Sequence, residues 1–149
     1  MQGGPLKDLT QFQRALDEVF ESYGVALAYL YGSQARGDAG PLSDVDAAVL
    51  FAPDVPEDDR FNRVLHLIGE LGSVFHRDDV SVVDLAEASP LLRHHVYYDG
   101  HGLYCIDDAV RVRFETTALR DYVDTEPLRR IKHRYVLQYF QQEPRPGRA

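Results

Sequence analysis

The run Val25 to Tyr31, VALAYLY, offers apolar surface on both faces of the strand it would form. Such a strand belongs inside a sheet with helices packed against it, an α/β arrangement. The flanking residues agree. Leu9, Phe12, Leu16, Val19, Phe20 and Tyr23 recur at helical spacing and stop at Gly24, which predicts an amphipathic first helix. Beyond the strand lies the glycine-rich turn that begins at Gly32 and Ser33.

Helix and strand signals alternate from there. A second strand is predicted over Asp44 to Phe51, and then a helix bearing Phe61, Val64, Leu65, Ile68 and Leu71, leaving near Gly72. Val80 to Leu85 forms a third strand that ends at Asp84, and Ser89-Pro90 supplies the N-cap and first residue of a helix running to about Tyr98. Gly102 to Ile106 is expected as a fourth, edge strand. Two helical stripes close the chain, Val110, Phe114, Ala118 and Tyr122, then Leu128, Ile131, Tyr135 and Tyr139. Pro127 costs about 3 kcal/mol inside a helix, so a break is placed there. The expected fold is a small mixed β-sheet of three to four strands flanked by helices, one domain over residues 1–141, with residues 142–149 as a frayed tail.

At 149 residues the chain is long enough for a core without disulfides or a structural metal. The single cysteine, Cys105, lies in the apolar stretch Leu103 to Ile106 and is expected as a buried, unreactive thiol. No apolar run approaches a membrane span and no signal-peptide pattern opens the chain, so the expected setting is cytoplasmic, without membrane contact. A formal net charge of -8 argues against direct binding along a nucleic-acid backbone. The histidines offer no zinc-ligand spacing.

The chemistry concentrates between the first two strands. Asp44 and Asp46 stand at i and i+2 at the head of the apolar run Ala47 to Phe51. Alternate residues of a strand share a face, so the two carboxylates project together from Cα atoms about 6 to 7 Å apart. Two hard oxygen ligands aimed at one spot suit Mg²⁺, and a turn with free backbone N–H groups suits phosphate. If the functional ends of all three strands share one sheet edge, the second strand runs antiparallel to the first and third. Asp84 then joins the pair as a third carboxylate.

The run GSQARGDAGPLSDVD, with its Gly-Ser turn, ten-residue spacer and Asp-x-Asp, closely resembles the signature of the DNA polymerase beta-like nucleotidyltransferase superfamily. With VSVVDL and FETTALRDYVD, the chain is similar to the minimal nucleotidyltransferases (MNT), antitoxins that pair with small helical HEPN toxins. The resemblance covers roughly residues 9 to 140. It implies a nucleotidyltransferase fold and, residue by residue, Gly32 and Ser33 on the β- and γ-phosphates of ATP, with Asp44, Asp46 and Asp84 as catalytic ligands of two Mg²⁺ ions. It also implies AMP transfer to a hydroxyl, expected to be a tyrosine of the cognate toxin. Transfer to a small molecule and a purely steric antitoxin are the alternatives.

Plainer roles stand beside these. Asp44 suits a turn after Ser43, Asp84 suits a cap on a helix beyond its strand, and Arg36 either reaches the triphosphate or locks the turn through carbonyls. Asp38 is expected in solvent, as are Asp78 and Asp79. Tyr97, Tyr98 and Tyr122 line either the nucleotide pocket or a partner surface, or simply pack. The basic stretch Arg129, Arg130, Lys132, His133 and Arg134 is either the solvated face of a last helix with Leu128, Ile131 and Tyr135 turned inward, or a dock for an acidic patch on another protein.

Overall fold

A computed structural model describes residues 8–37 and 44–142. A single 3-10 turn, Thr10–Phe12, leads into α1 (Gln13–Ser22), then β1 (Val25–Tyr31) and the one-turn helix α2 (Ser33–Arg36). β2 (Val45–Phe51) crosses through α3 (Arg60–Phe75) to β3 (Val80–Asp84). α4 (Pro90–Asp99), β4 (His101–Cys105), α5 (Asp108–Asp124) and α6 (Glu126–Gln142) complete the order. Asp38 in the spacer and the expected frayed tail from residue 143 onward lie outside the described residues.

The sheet order is β3-β2-β1-β4, which places β1 inside. Its residues divide between two cores as their alternation requires. Ala28 and Leu30 meet Leu16 and Phe20 of α1 and Leu67, Leu71 and Phe75 of α3, whereas Leu27 and Tyr29 meet Val96 of α4 and Phe114 and Ala118 of α5. Each buried leucine or phenylalanine of this kind contributes about 1.5–3 kcal/mol over its exposed state.

One expected strand direction is overturned. β2 is antiparallel to β1 but parallel to β3, with Val45 opposite Val80, Asp46 opposite Ser81 and Val49 opposite Asp84. The cause is α3, a sixteen-residue crossover that carries the chain back to the end where β2 began. The sheet is mixed as expected, with its third strand reversed.

Smaller departures have local causes. α3 passes Gly72 and ends at Phe75, with His76 left-handed at φ 56. Gly72 instead lets the returning backbone close in: its carbonyl accepts the Arg77 N–H at 2.9 Å, and a Cβ there would stand 2.7 Å from the Arg77 carbonyl oxygen. Cys105 is exposed, because β4 is an edge strand and the thiol turns outward to donate to the Asp107 carbonyl at 3.0 Å. The break before Pro127 falls at Thr125, and α6 begins at Glu126. Ser89 caps α4 as expected, accepting the Leu92 N–H at 3.2 Å.

α6 departs most. None of its residues is buried, and Leu128, Ile131 and Tyr135, expected to turn inward, are 66%, 47% and 68% exposed. The helix is tied back near its start, where Arg129 donates to Thr125 Oγ1 at 2.6 Å and lies 3.9 Å over the Tyr122 ring. No helix among the described residues is long and apolar enough to cross a membrane.

Candidate active site

β1 stops at Tyr31 because Gly32 turns the chain with φ 73 and ψ -155, a region open to glycine alone. The Gly32 carbonyl then accepts the N–H groups of Ala35 and Arg36 at 3.2 and 3.1 Å, which winds Ser33–Arg36 into a helical turn. The first N–H groups of such a turn have no acceptor within it. Gly32 is also pressed against β2: a Cβ on it would lie 2.6 Å from Asp46 Oδ2. The phosphate-type turn and the Asp-x-Asp strand are therefore in direct contact.

The carboxylate of Asp46 is held on its other side too. Ser81 on β3, its lateral partner in the parallel ladder, donates its hydroxyl to Asp46 Oδ1 at 2.7 Å. Across β1 the neighbour is Tyr31, whose phenol is pushed up by burial and then by the Asp46 charge. Asp44 stands exposed just before β2. Its charge helps hold Arg77 protonated, after the dominant contribution of Asp79.

Asp79 is no loose surface charge. It grips Arg77 through two bonds, Nε to Oδ1 at 2.7 Å and a terminal nitrogen to Oδ2 at 2.6 Å, and its carbonyl accepts the Val45 N–H at 3.0 Å. The bidentate pairing holds the Asp79 carboxyl below its usual range and raises the guanidinium, the same direction from both partners. This clasp splices β3 to the start of β2 and so fixes where Asp44 and Asp46 leave the loop.

Asp84 is not brought to the pair. It sits three rungs further along β3 from Ser81, about 10 Å by strand rise, and on the opposite face of the sheet. There its Oδ1 accepts the Ala86 N–H at 2.9 Å and its Oδ2 lies 3.6 Å from Arg60 Nε at the start of α3. The physical reason is the parallel direction of β3, which carries the end of that strand away from the beginning of β2. Among the described residues no three acidic, histidine or cysteine side chains gather as a metal cluster. Arg36 is exposed at the end of its turn and engaged in an interaction of its own.

Sequence reasoning missed Ser81, Tyr31 and the Arg77–Asp79 clasp. Ser81 carried no signal of its own, since only the register with Asp46 singles it out. The aromatic residues divide: His94 stacks between Tyr98 at 5.3 Å and Tyr122 at 3.7 Å, with Arg129 on the Tyr122 ring, so Tyr122 packs α4, α5 and α6 together. Tyr98 remains 73% exposed.

The comparisons with known proteins agree with this geometry. No curated protein matches the chain. Among solved structures it is similar to a chain of a toxin–antitoxin complex with AMP-PNP, at TM-score 0.66 and 24% identity over 84% of this chain and 98% of that one. It is similar also to a chain of the tri-AMPylated Shewanella oneidensis HEPN toxin in complex with MNT antitoxin, at 0.65 and 22% over 87% and 99%. A MntA–HepT toxin–antitoxin structure stands at 0.64 and 22%, over 86% and 98%. These likenesses are of fold. Residues 14–109, from α1 through β4 and with every element of the Gly32–Asp46–Ser81 contact, match the family described as Polymerase beta, Nucleotidyltransferase, and the chain belongs to that family.

Proposed function

We propose that this chain transfers AMP from ATP to a hydroxyl of a HEPN-type toxin, a tyrosine by preference, and thereby acts as its antitoxin. The observation that carries the reading is the contact of Gly32 with Asp46, which sets a turn suited to phosphate against an acid suited to a divalent ion. Neighbours of the same fold are toxin–antitoxin complexes, one with AMP-PNP and one with a tri-AMPylated toxin.

Asp44 and Asp46 fit Mg²⁺ by their chemistry, two hard carboxylates at one strand end with no competing soft ligand, and they are the residues that would hold it. When bound, the ion supplies charge neutralisation at the phosphates and the leaving group. Gly32 and Ser33 present backbone N–H groups and a hydroxyl to the β- and γ-phosphates, which orients the α-phosphorus toward the acceptor. The bond from the acceptor oxygen to the α-phosphorus forms as the bond to the bridging oxygen breaks. Pyrophosphate leaves and the acceptor proton passes to solvent. Positioning and electrostatics account for the acceleration.

The apolar stripe and basic edge of α6 are the docking face for the toxin in this reading, since none of that helix's residues is buried among the described residues. The test is incubation of the purified chain with α-labelled ATP, Mg²⁺ and the product of the neighbouring gene. Label on the partner that disappears in the Asp44→Asn/Asp46→Asn variant supports the proposal. Persistent label in that variant, or a variant that neutralises the toxin at equal dose without labelling it, overturns it.

A further inference from the structure

We propose that Ser81 is a positioning residue for Asp46, fixing the carboxylate that meets the divalent ion and keeping the charge of the site at two acids where a third would fit. The inference rests on the metal role proposed for Asp44 and Asp46. Its basis is independent of that role: Ser81 is the residue directly beside Asp46 in the β2–β3 ladder, and its hydroxyl donates to Oδ1 at 2.7 Å. The other oxygen, Oδ2, is the one pressed toward Gly32. The carboxylate is thus pinned from two strands, with one oxygen tied to a hydroxyl and the other lying against the turn that would carry the phosphates.

A carboxylate free to rotate must be ordered each time an ion binds. A hydrogen bond from outside the ligand set performs that ordering in advance, and losing such a partner lowers metal affinity about 10–100-fold in general. Position 81 also explains why the third acid is missing from the pair. Asp84, the expected candidate, is on the far face with Arg60, and the place beside Asp46 is filled by a neutral donor. A carboxylate there would lie in lateral register with Asp46 and repel it until a cation intervened.

Mn²⁺ titration followed by the paramagnetic signal of the free ion tests the claim without relying on turnover. Ser81→Ala is expected to weaken Mn²⁺ binding about tenfold, within the range for lost outer partners, and Ser81→Thr, which keeps the hydroxyl, to restore it. Melting of the two variants in chelator should be alike, because the exposed hydroxyl anchors a ligand rather than the core. Ser81→Asp is expected to tighten Mn²⁺ binding at least tenfold while lowering the melting temperature in chelator. Equal affinity of the wild-type chain and Ser81→Ala overturns the inference, as does Ser81→Asp that changes neither measurement. Mn²⁺ binding by the Asp44→Asn/Asp46→Asn variant at the affinity of the wild-type chain would instead sink the functional reading itself, so the two failures are distinct.

Discussion

Gly32 and Asp46 are fitted to each other so closely that a single added carbon on the glycine would stand 2.6 Å from the acid's Oδ2. The backbone at Gly32 is also one that only glycine adopts, at φ 73 and ψ -155. Gly32→Ala therefore carries two penalties. Strain at such a position costs about 1–3 kcal/mol, and the displaced carboxylate misaligns whatever it binds. Thermal melting should show the first, and single-turnover transfer should fall about 100-fold, as for ångström-scale misplacement of reacting groups.

Asp84 lies on the opposite face of the sheet from Asp46 and makes its contacts there. Its side chain is only 10% exposed and serves the Ala86 N–H and Arg60. Asp84→Ala is expected to lower stability by about 1–3 kcal/mol, the cost of leaving such partners unmet. The transfer rate, measured well below the melting temperature, should stay within about threefold of the wild-type chain, since a group on the far face has no path to reacting atoms. A fall as deep as that of Asp46→Asn would return Asp84 to the site.

Much of this arrangement is legible in residue order alone. β1 has its predicted limits, the Ser89 cap and the break before Pro127 stand where the pattern puts them, and the Gly-Ser turn and Asp-x-Asp strand that the spacing singles out are brought into contact. What periodicity does not carry is direction. Val80 to Asp84 looks the same whether it runs with β2 or against it, and that single choice decides whether Asp84 or Ser81 stands beside Asp46. Periodicity also marks an apolar stripe without saying whose core it enters, which is why Ile131 and Tyr135 read as inward-facing and are not.

The stack of Tyr98, His94, Tyr122 and Arg129 makes the joint between α4, α5 and α6 sensitive to acid. Burial, then His95 and Arg129, lower the His94 pKa from its ordinary 6.5, with Asp99 opposing. The unfolded chain therefore takes up a proton below about pH 6.5 that the folded chain resists, so stability declines as pH falls through that value toward the lowered one, and is level above it. His94→Phe keeps a ring in the stack and removes the titration. Melting temperatures of the variant should drop less than those of the wild-type chain between about pH 7.5 and about pH 5.5, with the two parallel at higher pH.

Ile131, Tyr135 and Tyr139 recur every four residues on α6, at 47%, 68% and 60% exposure. Such a row is the anchor pattern of a helix laid into a groove, and none of the three is buried by the described residues. Replacing all three with serine removes apolar area that contributes nothing to this chain's own core, so its melting should shift by less than about 1 kcal/mol equivalent. Binding to the toxin proposed as its partner should weaken at least tenfold in a co-purification or calorimetric titration. Lys132, Arg134 and Arg130, which pairs with Glu126 at 2.9 Å, are exposed on the same helix, whereas Arg129 is held by Thr125 and Tyr122 and is left intact. Neutralising those three should reduce the dependence of association on salt, because exposed charges act on encounter more than on the packed contact. A triple serine variant that binds as tightly as the wild-type chain would place the partner on another surface.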